Sequence, residues 1–151
     1  MPIGEDSGPI HPDTTRKYKY RYLFSNKHHG RGGSKAAQWL PTLSDDEEFS
    51  VFDEAVFHGI SDQHGRLYGV RITTNQEVLY VGTLGEQIAI FPHTRPGETW
   101  HGYPLWPLRE AGPANKQGED RRPSKEVFQK MEERIKLKPR DRKRLWKGNH
   151  A

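Results

Sequence analysis

The stretch RLYGVRITTNQEVLYVGTLGEQIAIFP, residues 66–92, decides the fold. It breaks into RLYGVRIT, a TNQE turn, VLYVGT, a Leu-Gly break and EQIAIFP. Short runs rich in Val, Ile, Leu and Tyr, bounded by turn residues, read as strands. The connections are too short for a crossover, so neighbouring strands are expected to be antiparallel.

Working outward, EAVFHGIS (54–61) reads as a further strand, with Val56, His58 and Ile60 alternating with Ala55, Phe57 and Gly59, and DQHG (62–65) turns the chain. A fifth strand is expected at KYKYRYLF (17–24). There Tyr18, Tyr20, Tyr22 and Phe24 fall on one side and Lys17, Lys19 and Arg21 on the other. The aromatic side is expected to face the core. Serving RNA would require those rings to be exposed.

Helices come from a different pattern. SDDE at 44–47 is a capping box ahead of a short helix whose Phe49, Phe52 and Val56 share a face. Ser34 is positioned to cap a short helix, KAAQWL, that ends before Pro41. Near the other end, KEVFQKMEERIK places Val127, Phe128, Met131 and Ile135 on one face. Lys138-Pro139 breaks it, and RDRKRLWK forms a second helix that Gly148 stops. The expected fold is therefore α+β: an antiparallel meander sheet of four to five strands with a C-terminal helical hairpin and helices on one face. Residues 1–15 read as a flexible arm, 16–108 as the α+β core, 109–123 as a linker and 124–151 as the basic helical hairpin.

The chain has 151 residues, the size of one domain. Its lack of cysteine removes disulfides, thiol nucleophiles and cysteine-based zinc sites, and fits a reducing compartment. The first residues lack the pattern of a signal peptide and no run is apolar enough to span a bilayer, so a cytoplasmic protein is expected. From Lys116 onward, 13 Lys and Arg face 6 Asp and Glu, a local charge of +7, whereas the remainder carries −3. That asymmetry points to an acidic partner for the C-terminal part, RNA or DNA first.

The most specific surface is the terminal helix. Arg140, Lys143, Arg144 and Lys147 recur at i, i+3, i+4 and i+7, flanked by Lys138, Arg142 and Trp146. The cations suit phosphates, and the indole suits a base or the core. A protein partner is the alternative, and for it GETWHGYPLWPL (97–108) offers Trp100, His101, Tyr103 and Trp106. Prolines bar this segment from a central strand, so its aromatics are expected chiefly to wrap the open sheet and close its core.

No catalytic motif is present, and whether the protein is an enzyme stays open on sequence alone. A metal-independent nuclease or toxin-like hydrolase needs a base, an acid and a cation near one phosphate. His58, His101 and Arg95 or Arg71 are the candidates for those roles. His58, Asp62 and His64 match no metal-site spacing, and neither a metal nor a cofactor is expected. The glycine-rich loop SNKHHGRGG (25–33) matches no phosphate-binding fingerprint and reads as a plain turn.

Overall fold

The computed structural model describes residues 8–29, 37–105 and 123–147. The elements are β1 (Ile10–Thr14), β2 (Arg21–Leu23), a 3-10 turn at Asn26–His28, α1 (Asp45–His58), β3 (Leu67–Gly69), β4 (Arg71–Ile72), β5 (Val78–Leu79), β6 (Ile88–Phe91), β7 (Tyr103–Leu105), α2 (Lys125–Ile135) and α3 (Pro139–Lys147). The fold is α+β and its strand pairs are antiparallel.

The strands do not form one meander. They divide into β1–β2, β4–β5 and a three-stranded sheet in the order β3–β6–β7. The division has a local cause after β5. The Val81 and Gly82 N–H groups both donate to the Glu86 carbonyl (2.7 and 3.2 Å), and the Glu86 carboxylate accepts from the Leu84 N–H (2.9 Å). This tight loop turns Val81–Gly82 toward residues 38–40. There the Leu40 N–H donates to Val81, the Thr83 N–H donates to Gln38, and Trp39 bridges Gly82. β6 is left to pair with β3 and β7.

The three-stranded sheet is covered on both faces rather than one. Its period-2 alternation sends Leu67, Ala89 and Phe91 toward α1, where they pack with Val51, Phe52, Ala55 and Val56. Tyr68, Ile88, Ile90 and Leu105 face the other way, onto Val127, Phe128, Met131, Leu137 and Leu145 of the α2–α3 hairpin. Each fully buried Phe or Leu in such a core contributes roughly 1.5–3 kcal/mol. β7 carries Pro104 at the edge of its sheet, where a missing N–H is tolerated. Two glycines permit close packing: a Cβ on Gly69 would meet Val51 Cγ1 at 2.6 Å, and one on Gly102 would meet Phe91 Cδ1 at 2.2 Å.

Four expectations are corrected. The segment EAVFHGIS is not a strand through residue 58, because α1 runs on to His58. The capping box between Ser44 and Glu47 starts that helix, and Val51, Phe52, Ala55 and Val56 give it a helical apolar face. Gly59, at φ 63, closes it, with the Gly59 N–H donating to Val56 and the Ile60 N–H to Ala55. Second, KYKYRYLF is a strand only at Arg21–Leu23; residues 16–19 form a turn. Third, the presumed arm carries β1, pinned by His11, which is buried, stacked on Phe49 at 4.0 Å and bonded to Asp46 at 2.8 Å. Fourth, Trp39 lies on an extended bridge, so residues 37–40 are not helical; Ser34 to Ala36 lie outside the described residues.

Candidate nucleic-acid interface

The C-terminal hairpin is assembled from two opposed demands. In α2, Val127, Phe128 and Met131 are buried against the sheet, and the Ser124 hydroxyl accepts from the Val127 N–H at 3.3 Å. Lys136, at φ 64, ends α2, and Pro139 begins α3, where its missing N–H costs nothing. Leu137 and Leu145 then hold α3 down, leaving its cations outward.

Those cations are not equivalent. Arg144 donates to Gln87 Oε1 at 2.8 Å and to Asp141 Oδ1 at 3.3 Å. The Arg142 Nε lies 3.0 Å from Glu132 Oε2. Arg140 and Lys143 are exposed, and among the described residues neither has an ion-pair partner. Lys138 is half-buried. Trp146 is half-buried, with its ring edge-on to Phe128 at 5.9 Å. Lys125, Phe128, Arg142, Lys143 and Trp146 line a shallow recess of about 80 Å³. Aromatic walls beneath a cationic rim can hold a phosphate while an indole faces an adjoining base. The Lys147 side chain and the whole of Trp106 lie outside the described residues. Lys125 escaped the sequence reading because it sits on the other helix.

The histidines fall into separate neighbourhoods. His58 lies in the last turn of α1, its Nε2 3.2 Å from Glu54 Oε1. It lines a cleft of about 570 Å³ between α1, the β3–β5 segment and the end of α2, together with Ser50, Arg71, Gln76 and Lys136. Arg71 donates to Glu47 there at 2.9 Å, and Gln76 Oε1 is buried without a hydrogen-bond partner among the described residues. His101 instead stands beside His28, close enough to oppose its protonation. Arg95 is exposed in a turn closed by the Glu98 N–H on its carbonyl at 3.1 Å. In the remaining hairpin turn, Asp62 is committed to the His64 and Arg66 N–H groups, the Arg66 side chain and the Tyr68 hydroxyl. Burial pushes its pKa up, but these donors outweigh that and hold it below the ordinary value. Among the described residues, no group of three His, Asp or Glu is placed to hold a metal ion.

A buried network under α1 was not legible beforehand. Glu48 accepts from the Tyr22 hydroxyl at 2.6 Å and from His29 Nε2 at 2.7 Å, while His29 Nδ1 lies 2.5 Å from the Ser25 carbonyl. The Ser25 carbonyl accepts from one ring nitrogen, and an ionised Glu48 accepts from the other, so beside the Glu48 carboxylate the ring carries both protons. Burial works to lower the His29 pKa, but the Glu48 hydrogen bond and charge hold it above the ordinary value; burial lifts Glu48 above its own. An imidazolium with both N–H groups engaged is a structural cation rather than a proton acceptor. Neighbouring His28 is the opposite case. Burial lowers its pKa to about 4, and its Nδ1–H donates to the Ala37 carbonyl at 2.7 Å while its ring stacks on Tyr103 at 4.8 Å.

Of the proposed protein-binding aromatics, Trp100 is 5 % exposed and belongs to the core, so it presents no anchor at the surface. His101 and Tyr103 are half-buried. No described helix is long and apolar enough to cross a membrane. No family model, curated protein sequence or solved structure matches the chain.

Proposed function

We propose that this protein is a small, non-enzymatic cytoplasmic module that binds nucleic acid through its α2–α3 hairpin. The observation that carries the reading is the pair of exposed cations Arg140 and Lys143, without an ion-pair partner among the described residues, beside an aromatic recess rimmed by Lys125, Arg142 and Lys143. The +7 charge of the chain from Lys116 onward supplies the long-range attraction, and the absence of cysteine agrees with a reducing compartment. Arg142 and Arg144, already engaged, contribute less than Arg140 and Lys143. The test is a mobility-shift titration over a range of salt with the wild type and Arg140→Glu/Lys143→Glu. Two lost phosphate contacts lower the slope of log affinity against log salt by about 2 on duplex or slightly less on single strands. An unchanged slope would assign these cations to solvation alone.

A second reading has a specific observation in its favour. His58, Arg71 and Lys136 line one cleft, with Glu54 bonded to His58, which brings a base and two cations near one another as a metal-independent phosphodiester hydrolase would use them. If it holds, the titrated probe is cleaved and His58→Ala stops cleavage while binding at α3 persists. An intact probe after prolonged incubation removes it.

A further inference from the structure

The turn between β1 and β2 is built unlike a simple connector. Thr15 closes it: its N–H donates to the Tyr20 carbonyl at 2.9 Å, and its hydroxyl accepts from the Tyr20 N–H at 2.9 Å. At the tip, Tyr18 and Lys19 are adjacent non-glycine residues at φ 65 and φ 53. Each costs on the order of 1 kcal/mol in this left-handed region, where Asn-Gly would sit with little strain. One ring of this turn faces solvent. Tyr18 is 65 % exposed, the most exposed large hydrophobic side chain among the described residues. It is no isolated ring, because it stacks on Tyr20 at 5.6 Å, and Tyr20 packs on buried Trp100 at 5.1 Å. The ladder runs from solvent into the core, so the outer ring is backed by rigid structure.

The charge around it is one-sided. Lys17, Lys19 and Arg21 are exposed and have no ion-pair partner among the described residues, and Lys17 Nζ lies 5.4 Å from the Tyr18 ring centre. The carboxylates facing this turn from α1, Asp53 and Glu54, are both taken by Arg16. A rigid aromatic face among uncompensated cations is complementary to an unpaired base and its flanking phosphates. Duplex bases are already stacked and leave no face for such a ring. Lipid headgroups or an acidic peptide would use the lysines but would not need a flat ring backed by a stack.

We infer that the Lys17–Arg21 turn is a second nucleic-acid contact that stacks Tyr18 on an unpaired base, which makes single-stranded RNA or DNA the preferred ligand. This inference rests on the nucleic-acid reading above, yet its site is separate. Tyr20 and Trp100 pack on the α1 side of the sheet, whereas α3 packs on the opposite side.

The test compares an unstructured pyrimidine oligonucleotide with a duplex of equal length, for wild type, Tyr18→Phe, Tyr18→Ala and Tyr18→Gly. Glycine removes the ring while relieving the left-handed backbone, so weakened binding by both it and the alanine variant cannot be ascribed to misfolding. Wild type is expected to prefer the single strand. The alanine and glycine variants should lose about 5- to 100-fold on the single strand, with duplex binding unchanged and the phenylalanine variant like wild type. Equal single-strand affinity in all four proteins overturns the inference while leaving the α3 reading intact, and so does an equal loss on both probes. If Arg140→Glu/Lys143→Glu leaves binding untouched while Tyr18→Ala abolishes it, the α3 reading fails and this one stands. No single-strand binding by wild type, or Tyr18-dependent binding only to anionic vesicles, overturns it outright.

Discussion

The two sides of the β3–β6–β7 sheet solve the same packing problem with different chemistry. On the α1 side the core is aromatic and encloses ionised groups, with Tyr22, Glu48 and His29 in one hydrogen-bonded chain beneath Phe24, Phe52, Phe91 and Trp100. On the α2–α3 side it is mainly aliphatic, built from Ile60, Val70, Ile88, Ile90, Leu105, Val127, Met131, Leu137 and Leu145, with Asp62 accepting from the Tyr68 hydroxyl and the cations of α3 on the outer face. A buried polar chain tolerates one geometry, so the α1 side fixes the structure. An aliphatic core leaves its outer cations unencumbered, so the opposite side is where a charged partner can be met.

The largest effect should come from breaking the polar chain. Glu48→Ala leaves the His29 imidazolium and the Tyr22 hydroxyl without their buried acceptor, and removing one member of such a set costs about 3–5 kcal/mol. Urea unfolding followed by tryptophan fluorescence reads it as a fall in midpoint at constant slope. A loss below about 1 kcal/mol would mean that water replaces Glu48, and the contrast between the two sides would lapse.

Next in size is a pH effect that separates two adjacent histidines. Unfolded His28 titrates near 6.5 and folded His28 at about 4, so the native state resists the proton. Its contribution is complete above the unfolded value and is lost as pH falls from about 6.5 to 4, by up to roughly 3 kcal/mol. The groups facing it, the Ala37 carbonyl, Lys27, His29, His101 and the Tyr103 ring, leave this direction intact. His29 is raised instead, so its contribution is full below 6.5 and declines as pH rises through its folded value. Glu48, lifted by burial, bends the acid range the other way. The informative quantity is therefore the difference between wild type and His28→Asn across pH 7 to 4. It should shrink steadily toward acid, and a flat difference would show that folding does not shift the His28 pKa.

Which of these features the sequence disclosed follows from how far apart the deciding residues lie. Ser44 and Glu47 are three apart, and the start of α1 was legible from them. Val127, Phe128 and Met131 likewise disclosed α2. The alternation at Val56, His58 and Ile60 misled because Ile60 is buried just past the Gly59 cap, so Val56 and Ile60, two buried positions four apart, belong to different structures, and His58 between them is only half-buried. The alternation of Tyr20, Tyr22 and Phe24 located inward-facing residues, but Tyr18 sits at the tip of a turn that no local pattern announced. The split of the sheet depends on Glu86 capping its own loop and on residues 38–40 receiving Val81, a pairing from a distant part of the chain. For the interface, the helical spacing of Arg140, Lys143 and Arg144 was visible. Which cations are already neutralised was not, since that depends on Glu132 in α2 and Gln87 before β6.

That last point yields the smallest effect, and the one that bears most directly on the α2–α3 surface. The Arg142–Glu132 pair is partly exposed, with side chains 37 % and 28 % accessible, so solvent screens it and its worth to stability is below about 1 kcal/mol. Glu132 is nevertheless a carboxylate bonded to a cation of the recess, where it competes with an incoming phosphate. Glu132→Gln should leave the unfolding midpoint almost unchanged while releasing Arg142. Removing one negative charge about 4 Å from a phosphate site changes the interaction by about 1 kcal/mol in water, a factor of about five in affinity. Because that gain is electrostatic, it should be present at low salt and shrink as the Debye length falls toward 3 Å near 1 M. Affinity that stays constant or drops at low salt would place the ligand away from Lys125, Arg142 and Lys143, whatever Arg140 and Lys143 contribute elsewhere on α3.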